Sequence, residues 1–406
     1  MDDKNIYIIG AGISGLIAAY ELEKAGYKPI VFEKSDRVGG RVQTIEKNGF
    51  HLDIGFQVLL NAYPLAKEYL DMEALELNTL ASGALIYVND KSYEIGDPLR
   101  DFSKLIPTLV ANVGSVSDKF KILKLNKLLK NKSIEDIFES KEITTLNYLK
   151  NFGFSINIID RFFKPFFAGI FLETELRTSS RMFEFVYKMF GQGYATIPKA
   201  GIGAISNQLK IKLSKTEFRF HHIIKEVNNE TIQLDSGDII KHNGVILTGD
   251  ASNLISNMDE SVIWKSCMCL YFEVDQTNIP PKTIALIADK GKRSNNLYAY
   301  QDEITGKTIL SVTSLQFNDK SDQEMQEIVL AEIEKYTGAS NIRFIHSFRI
   351  EQALPDINNL RASTHPSESR LRENIFVAGD YLFNGSLNAA MESGKLAAKG
   401  LIANKG

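Results

Sequence analysis

The sequence predicts an α/β chain built as an α+β two-domain protein: a Rossmann-like nucleotide-binding domain and a discontinuous second domain of mixed sheet and helices. Three observations predict it. A short Ile-rich run ends at Ile9 and leads at once into Gly10-Ala-Gly-Ile-Ser-Gly15 and a helical pattern. Near the other end, Ile375-Phe-Val-Ala-Gly-Asp380 again reads as a buried strand, a Gly turn and a helix. Between them lie strand-like and helical runs without such turns. Residues 1–60, 195–258 and 368–406 are therefore assigned to the nucleotide domain, and 61–194 and 259–367 to the second domain.

In chain order, Lys4–Ile9 is the first strand. Ile13, Leu16, Ile17, Tyr20 and Leu22 then recur at helical spacing up to Ala25. Gly26 takes the position that closes a helix, and Lys28–Glu33 is the second strand. Such a β-α-β unit in one sheet is parallel and right-handed. Residues 98–150 are Lys-rich and helix-like, and residues 152–190 hold 10 of the 24 phenylalanines. A β-rich stretch runs from Phe218 to Leu247, with turns at Asn228-Asn229 and Ser236-Gly237. Further strands are expected at 265–274, 283–288, 296–300 and 308–315. Helices are expected at Gln323–Thr337 and from Asn384 to about Ala403.

Composition narrows the classes. With 406 residues, 44% hydrophobic and a net charge of -3, the chain can bury a large core and is no dedicated nucleic-acid binder. Cys267 and Cys269 share one face of a strand; a count of two excludes a disulfide framework, and without a nearby His cluster they do not make a zinc site. No metal is expected. The acidic start Met1-Asp-Asp-Lys4 and the glycine-broken run Ile6–Leu22 predict neither a secretory leader nor a spanning helix. A cytoplasmic location follows as the expectation.

Gly10-x-Gly12-x-x-Gly15 directly follows a strand and opens a helix, the context in which this spacing cradles a pyrophosphate. Gly10 allows the tight turn, Gly12 lets a phosphate approach the backbone, and Gly15 lets helix and strand pack closely. Ile13, Ser14 and Gly15 contribute the unpaired N–H groups of the helix start, where the dipole favours an anion. Glu33 lies 18 residues beyond Gly15 and can hold both ribose hydroxyls. Lys34 follows it in place of an Arg, so a 2′-phosphate has no evident partner. Tyr20-x-x-x-Lys24 has the spacing of some NAD dehydrogenases, but on the phosphate helix it reads as packing and surface. Arg37-Val-Gly-Gly-Arg41 adds a second phosphate-facing turn, Gly39-Gly40, with a charge-assisted donor. With Gly379-Asp380 at the far end, it assigns the cofactor as FAD rather than NAD.

These segments resemble the flavin-containing amine oxidase and phytoene desaturase superfamily. The resemblance runs through Ile8–Gly15, Glu33–Thr44, Asp53–Gln57, Pro198–Leu209, Gly249 and Gly379–Gly394. It implies that the glycine turn and Arg41 hold the pyrophosphate and that Glu33 binds ribose. It further implies that Gly379 and Asp380 reach the pyrophosphate and ribityl chain. Gly55, Phe56 and Gln57 match a cofactor-facing segment. Ser386, Leu387 and Asn388 lie where N–H groups approach the flavin pyrimidine edge. Ile224 matches the position whose backbone binds adenine.

Departures from amine oxidases proper point to the branch. Gly-Asp stands where those enzymes carry Gly-Glu, and Gly385-Ser386 stands where an aromatic cage residue is common. None of Lys290, Lys292 and Lys307 has the context of a lysine near flavin N5. Arg161-Phe-Phe-Lys-Pro-Phe-Phe-Ala-Gly-Ile-Phe-Leu-Glu173 and Pro198–Ile205 look more like desaturases and protoporphyrinogen oxidases. The resemblance thus implies an FAD-dependent oxidoreductase that desaturates or isomerises a lipophilic small molecule. An amine oxidase with an atypical cage and a non-catalytic flavin-binding protein are the alternatives.

No catalytic side chain is assigned, since the cofactor carries the redox chemistry. His51 reads as a flavin neighbour or as a structural histidine. Tyr298 and Tyr300 share one face of a strand and line either pocket or core. Phe162, Phe163, Phe166, Phe167 and Ile170 recur at helical spacing as one apolar face, either a pocket wall or plain core. Between Arg100 and Lys132 eight Lys or Arg stand against Asp101 and Asp118 only, interleaved with leucines. Such a stretch fits peripheral membrane contact through 100–132 or a solvated helix face. The sequence does not specify the oligomeric state.

Overall fold

The computed structural model describes residues 6–96, 114–250, 254–255 and 262–405. Its organising element is a six-stranded sheet in the order Glu217–Arg219, Ile30–Phe32, Ile6–Ile9, Gly244–Thr248, Ile375–Ala378, Arg370–Arg372. Every pairing is parallel except the last. Both faces of the central strand are covered, which is why Ile6–Ile9 is apolar throughout. Ile6 and Ile8 face a core shared with Leu16 and Ile17 of the phosphate helix (Ile13–Lys24) and Ala397 and Leu401 of the C-terminal helix (Leu387–Lys405). Tyr7 and Ile9 face the opposite way, onto Ile224, Val227, Ile232 and Leu234 of a three-stranded antiparallel sheet. The period of two along the strand therefore assigns each residue to one of the two cores.

The local signals act as expected. Gly26, at φ +95°, closes the phosphate helix. The Asn228 side chain accepts from the Glu230 and Thr231 N–H groups, and Gly237 turns at φ +94°. The expected strands between 265 and 315 are present as Trp264–Val274, Ile284–Ile287, Ser294–Gln301 and Thr308–Ser314. They form a seven-stranded mixed sheet with Arg343–Pro355 at one edge and the hairpin Gly83–Val88/Lys91–Gly96 at the other. The expected helix at Gln323–Thr337 is Asp322–Thr337, started by a Ser321–Glu324 capping box.

A helical layer covers one side of this sheet: Val116–Asn131, Ile134–Glu139, Thr145–Phe152, Lys164–Phe171 and Ser180–Gln192. Part of the Lys-rich stretch, residues 97–113, lies outside the described residues. The phenylalanines divide differently from the single face expected. Phe163, Phe167 and Phe171 are fully buried in the helical core, where Phe167 lies 4.8 Å from Phe183. Phe162 and Phe166 are half-buried and pack towards Ala84, Ile86 and Leu286 of the seven-stranded sheet. Adjacent residues on a helix stand about 100° apart, so the Phe-Phe pairs form two ridges facing two layers.

The phosphate and C-terminal helices approach so closely that a Cβ on Gly394 would lie 2.2 Å from the Ser14 carbonyl oxygen. Gly394→Ala is therefore expected to destabilise the protein by about 1–3 kcal/mol, despite the better helix propensity of Ala. Gly191, on another helix, has open space around it and should tolerate Ala. Denaturant midpoints of the two variants provide the comparison, and equal midpoints would contradict the close approach.

Candidate active site

The site is built where three stretches of chain meet above the first strand. Gly10 takes φ +101°, and a Cβ there would lie 2.4 Å from Thr248 Oγ1. Thr248 donates that hydroxyl to the Ile9 carbonyl at 2.8 Å, pinning the turn. A Cβ on Gly15 would lie 2.1 Å from the Gly10 carbonyl, so only glycine lets the helix start so close to the strand. Gly12 differs: a Cβ there would meet nothing within 4 Å. Its backbone faces open space, bordered by Gly40, and it bridges to Gly39. The Gly39 N–H donates to the Ala11 carbonyl at 2.8 Å, so the two glycine turns are held together.

No side chain caps the phosphate helix, and its first turn carries no acid. The N–H groups of Ile13, Ser14 and Gly15 thus have no intrahelical partner. Ser14 places its hydroxyl 3.2 Å from that of Ser393, and Ser393 accepts the Gly379 N–H at 2.9 Å. Glu33 is buried at the end of the second strand. One carboxylate oxygen accepts the Ala11 N–H at 2.8 Å, and the other accepts the N–H and hydroxyl of Ser35, both at 2.9 Å. The first oxygen keeps an acceptor site. Lys34 is exposed beside it.

Segment Phe220–Ile224 runs next to this acid. The His222 N–H donates to the Glu33 carbonyl at 3.0 Å and the His221 N–H to that of Ser35 at 3.1 Å. Ile224 opens a strand here and is buried with Phe32 and Ile9.

Arg41 and Asp380 form a bidentate ion pair at 3.0 and 2.5 Å across the site. Arg41 also donates to the Ala353 carbonyl at 3.2 Å, and its guanidinium lies 5.0 Å from the Trp264 ring centroid. Gln57 clasps the turn from below, donating to the Arg41 carbonyl at 2.7 Å and the Ile54 carbonyl at 3.0 Å. Gly55 takes φ +86° against Ile350, and Phe56 turns its ring to Tyr298 at 5.5 Å. Ser386 caps the C-terminal helix, accepting the Ala389 N–H at 3.0 Å. Leu387 and Asn388 keep open N–H groups at that helix start, and the Asn388 side chain accepts the Leu65 N–H at 3.1 Å.

Three contributors carry no motif. Trp264, Thr248 and Ser393 support the site through contacts between distant segments. Tyr20-x-x-x-Lys24 is indeed packing, with Tyr20 edge-on to Tyr69. Lys307 is occupied by Glu273 at 2.9 Å. The His51 side chain is exposed, and its backbone does the bonding. Cys267 is pushed up to about 12 by burial, so neither it nor fully buried Cys269 supplies a thiolate.

The donor set suits a pyrophosphate joined to a ribose: open backbone at Gly12, an uncapped helix start, a guanidinium, and a carboxylate with a spare lone pair. Fold and site geometry are those of a dinucleotide-binding α/β protein. The chain belongs to the flavin containing amine oxidoreductase family, whose model matches residues 13–402; its cofactor is FAD. Among curated relatives, protoporphyrinogen oxidase 2 of Arabidopsis thaliana is 30% identical over 41% of this chain and 32% of its own. An L-amino-acid oxidase of Sistrurus catenatus edwardsii is 44% identical over 18% of this chain and 14% of its own. The matches thus span a third or less of those relatives' length. The solved fatty acid isomerase of P. acnes shares the fold across 97% of this chain and 98% of its own, with a TM-score of 0.68 at 17% identity.

Asp53 closes the site from behind. It accepts the Thr44 hydroxyl at 2.5 Å and the Ile202 N–H at 3.0 Å, and burial lifts its carboxyl to about 6. A folded value above the unfolded one near 3.8 means the native state binds this proton more tightly. The group therefore favours folding at low pH. It opposes folding increasingly from about pH 4 upward, by on the order of 3 kcal/mol beyond about pH 6. Asp53→Asn keeps one acceptor for both donors and should remove this loss. Its gain in unfolding midpoint should be larger at about pH 7.5 than at about pH 4.5, and an equal gain would show that Asp53 does not titrate in this range.

Proposed function

We propose that this chain is an FAD-dependent oxidoreductase acting on a lipophilic small molecule, by desaturation or by flavin-assisted isomerisation. The observation that carries this reading is the surface facing the Gly55–Gln57 segment. Phe56 meets Tyr298, which stacks on Tyr300 at 5.9 Å, and both tyrosine hydroxyls are held far from ionisation by burial. Ser386, at the position of the missing cage aromatic, is committed to capping a helix.

In this reading Gly10, Gly12, Ile13, Ser14, Gly15, Gly39, Gly40 and Arg41 hold the pyrophosphate, and Glu33 holds the adenosine ribose. Ile224 borders adenine, while Lys34 stays in solvent. Gly379 and Asp380 reach the ribityl chain, Gly55–Gln57 line the ring system, and Ser386, Leu387 and Asn388 present the helix start to its polar edge. The division into a nucleotide domain and a discontinuous substrate domain belongs to the same proposal. Bound flavin supplies the hydride or electron acceptor at N5. The chain's own part is to orient the substrate against Phe56, Tyr298 and Tyr300 and to exclude water there. Peripheral membrane contact through 100–132 is also part of the proposal. No described helix is long and apolar enough to cross a membrane.

Arg41→Ala is expected to weaken FAD retention roughly ten- to a hundred-fold, because charge-assisted bonds are lost and Asp380 is left unpaired. Dialysis followed by flavin absorbance measures this, and unchanged retention would remove Arg41 from the pyrophosphate site. Anaerobic titration tests the substrate class. A polyene or unsaturated fatty acid should bleach the flavin or, with pre-reduced flavin, be isomerised. Bleaching by an amine instead would establish the amine oxidase alternative, and inertness to both would favour a non-catalytic flavoprotein.

A further inference from the structure

The helix Val116–Asn131 is built on two opposite faces. Leu125, Leu129 and Asp118 are buried against the helical layer. On the far side, Val116, Phe120 and Leu123 follow one another at i, i+4 and i+7 and are 63%, 68% and 46% exposed. They form one outward stripe. A solvated helix face would place opposite charges at that spacing, but this one does not. The helix carries five lysines, Lys119, Lys121, Lys124, Lys127 and Lys130, against one acid. That acid, Asp118, is consumed in the cap, where it accepts the Ser115 N–H and hydroxyl at 2.8 and 2.7 Å. Lys124, Lys127 and Lys130 are exposed around the stripe.

An exposed phenylalanine and leucine rimmed by the exposed Lys124, Lys127 and Lys130 match a surface that is apolar inside and negative outside. We infer that this helix docks on an anionic lipid bilayer, with Val116, Phe120 and Leu123 entering the acyl boundary and the lysines meeting the headgroups. The bilayer is then the source of the substrate, an inference that rests on the lipophilic reading above. The fold connects the two places. Asp118 also accepts the Ser155 N–H at 2.9 Å and its hydroxyl at 2.6 Å. Ser155 starts the segment Ile156–Phe171, which carries the half-buried Phe162 and Phe166. The cap of the docking helix is thus bonded to the head of the aromatic ridge that leads to the seven-stranded sheet.

The FAD-loaded protein is floated with vesicles of phosphatidylcholine alone and with about one third phosphatidylglycerol. It should rise only with the anionic vesicles, less so in about 0.5 M salt. Phe120→Glu/Leu123→Glu should lower partitioning at least about tenfold, and Lys127→Glu/Lys130→Glu should lower it while leaving the apolar stripe intact. Both variants should keep the flavin spectrum and the bleaching by a detergent-dispersed lipophile. Absence of flotation overturns the inference and leaves the substrate reading standing. Self-association of the wild type that the Phe120→Glu/Leu123→Glu variant abolishes, without flotation, overturns it in favour of a second copy. Flotation without bleaching by any lipophile overturns delivery of substrate from the bilayer, and with it the substrate class.

Discussion

A ligand can approach bare backbone at Gly12 only because three distant stretches of chain meet there with no side chain between them. The first glycine turn lies on the second through Gly12 and Gly39, and Gly15 lets the helix start against its own strand. Gly394 lets the C-terminal helix lie on the same helix start. The approaches at Gly15 and Gly394 are shorter than any Cβ allows, so those positions are fixed by sterics before any charge is considered. The helix N-terminus, the buried acid and the guanidinium can then act on one small volume.

The same constraint explains the support around the site. Arg41 is placed from four sides, by Asp380, by the Ala353 carbonyl, by the Trp264 ring and by Gln57 on its own carbonyl. Ala353 belongs to an edge strand of the seven-stranded sheet and Trp264 to the strand paired beside it, whereas Asp380 follows a strand of the six-stranded one. The ion pair therefore ties the nucleotide-binding sheet to the second sheet. A side chain held by both layers reports the relation between them to whatever binds it.

Much of this was legible in the sequence, because the governing features are local. Glycines at fixed spacing after an apolar strand, the helical spacing of Gln323–Thr337 and a Gly-Asp turn are short-range statements, and the corresponding elements form where they were read. The misses are long-range. Arg343–Pro355 alternates charged and apolar residues unevenly and pairs along one edge only, so no period marked it as a strand. The Phe-rich run was read as one face because spacing alone does not show that layers lie on both sides of a helix. Trp264 carries no motif at all, and its role exists only through the position of Arg41.

The Phe pairs also bear on the proposed apolar substrate. One ridge, Phe163, Phe167 and Phe171, is spent on holding the helical layer together. The other, Phe162 and Phe166, is left half-buried against the sheet, where its apolar area is not fully covered by the chain itself. A half-covered aromatic surface costs hydrophobic free energy that an apolar ligand would recover on binding, at about 25 cal/mol per Å² removed from water. Asp53 and Asp302 also act on Tyr300, so it is this uncovered apolar area, and not an absence of charge, that favours the proposed lipophile.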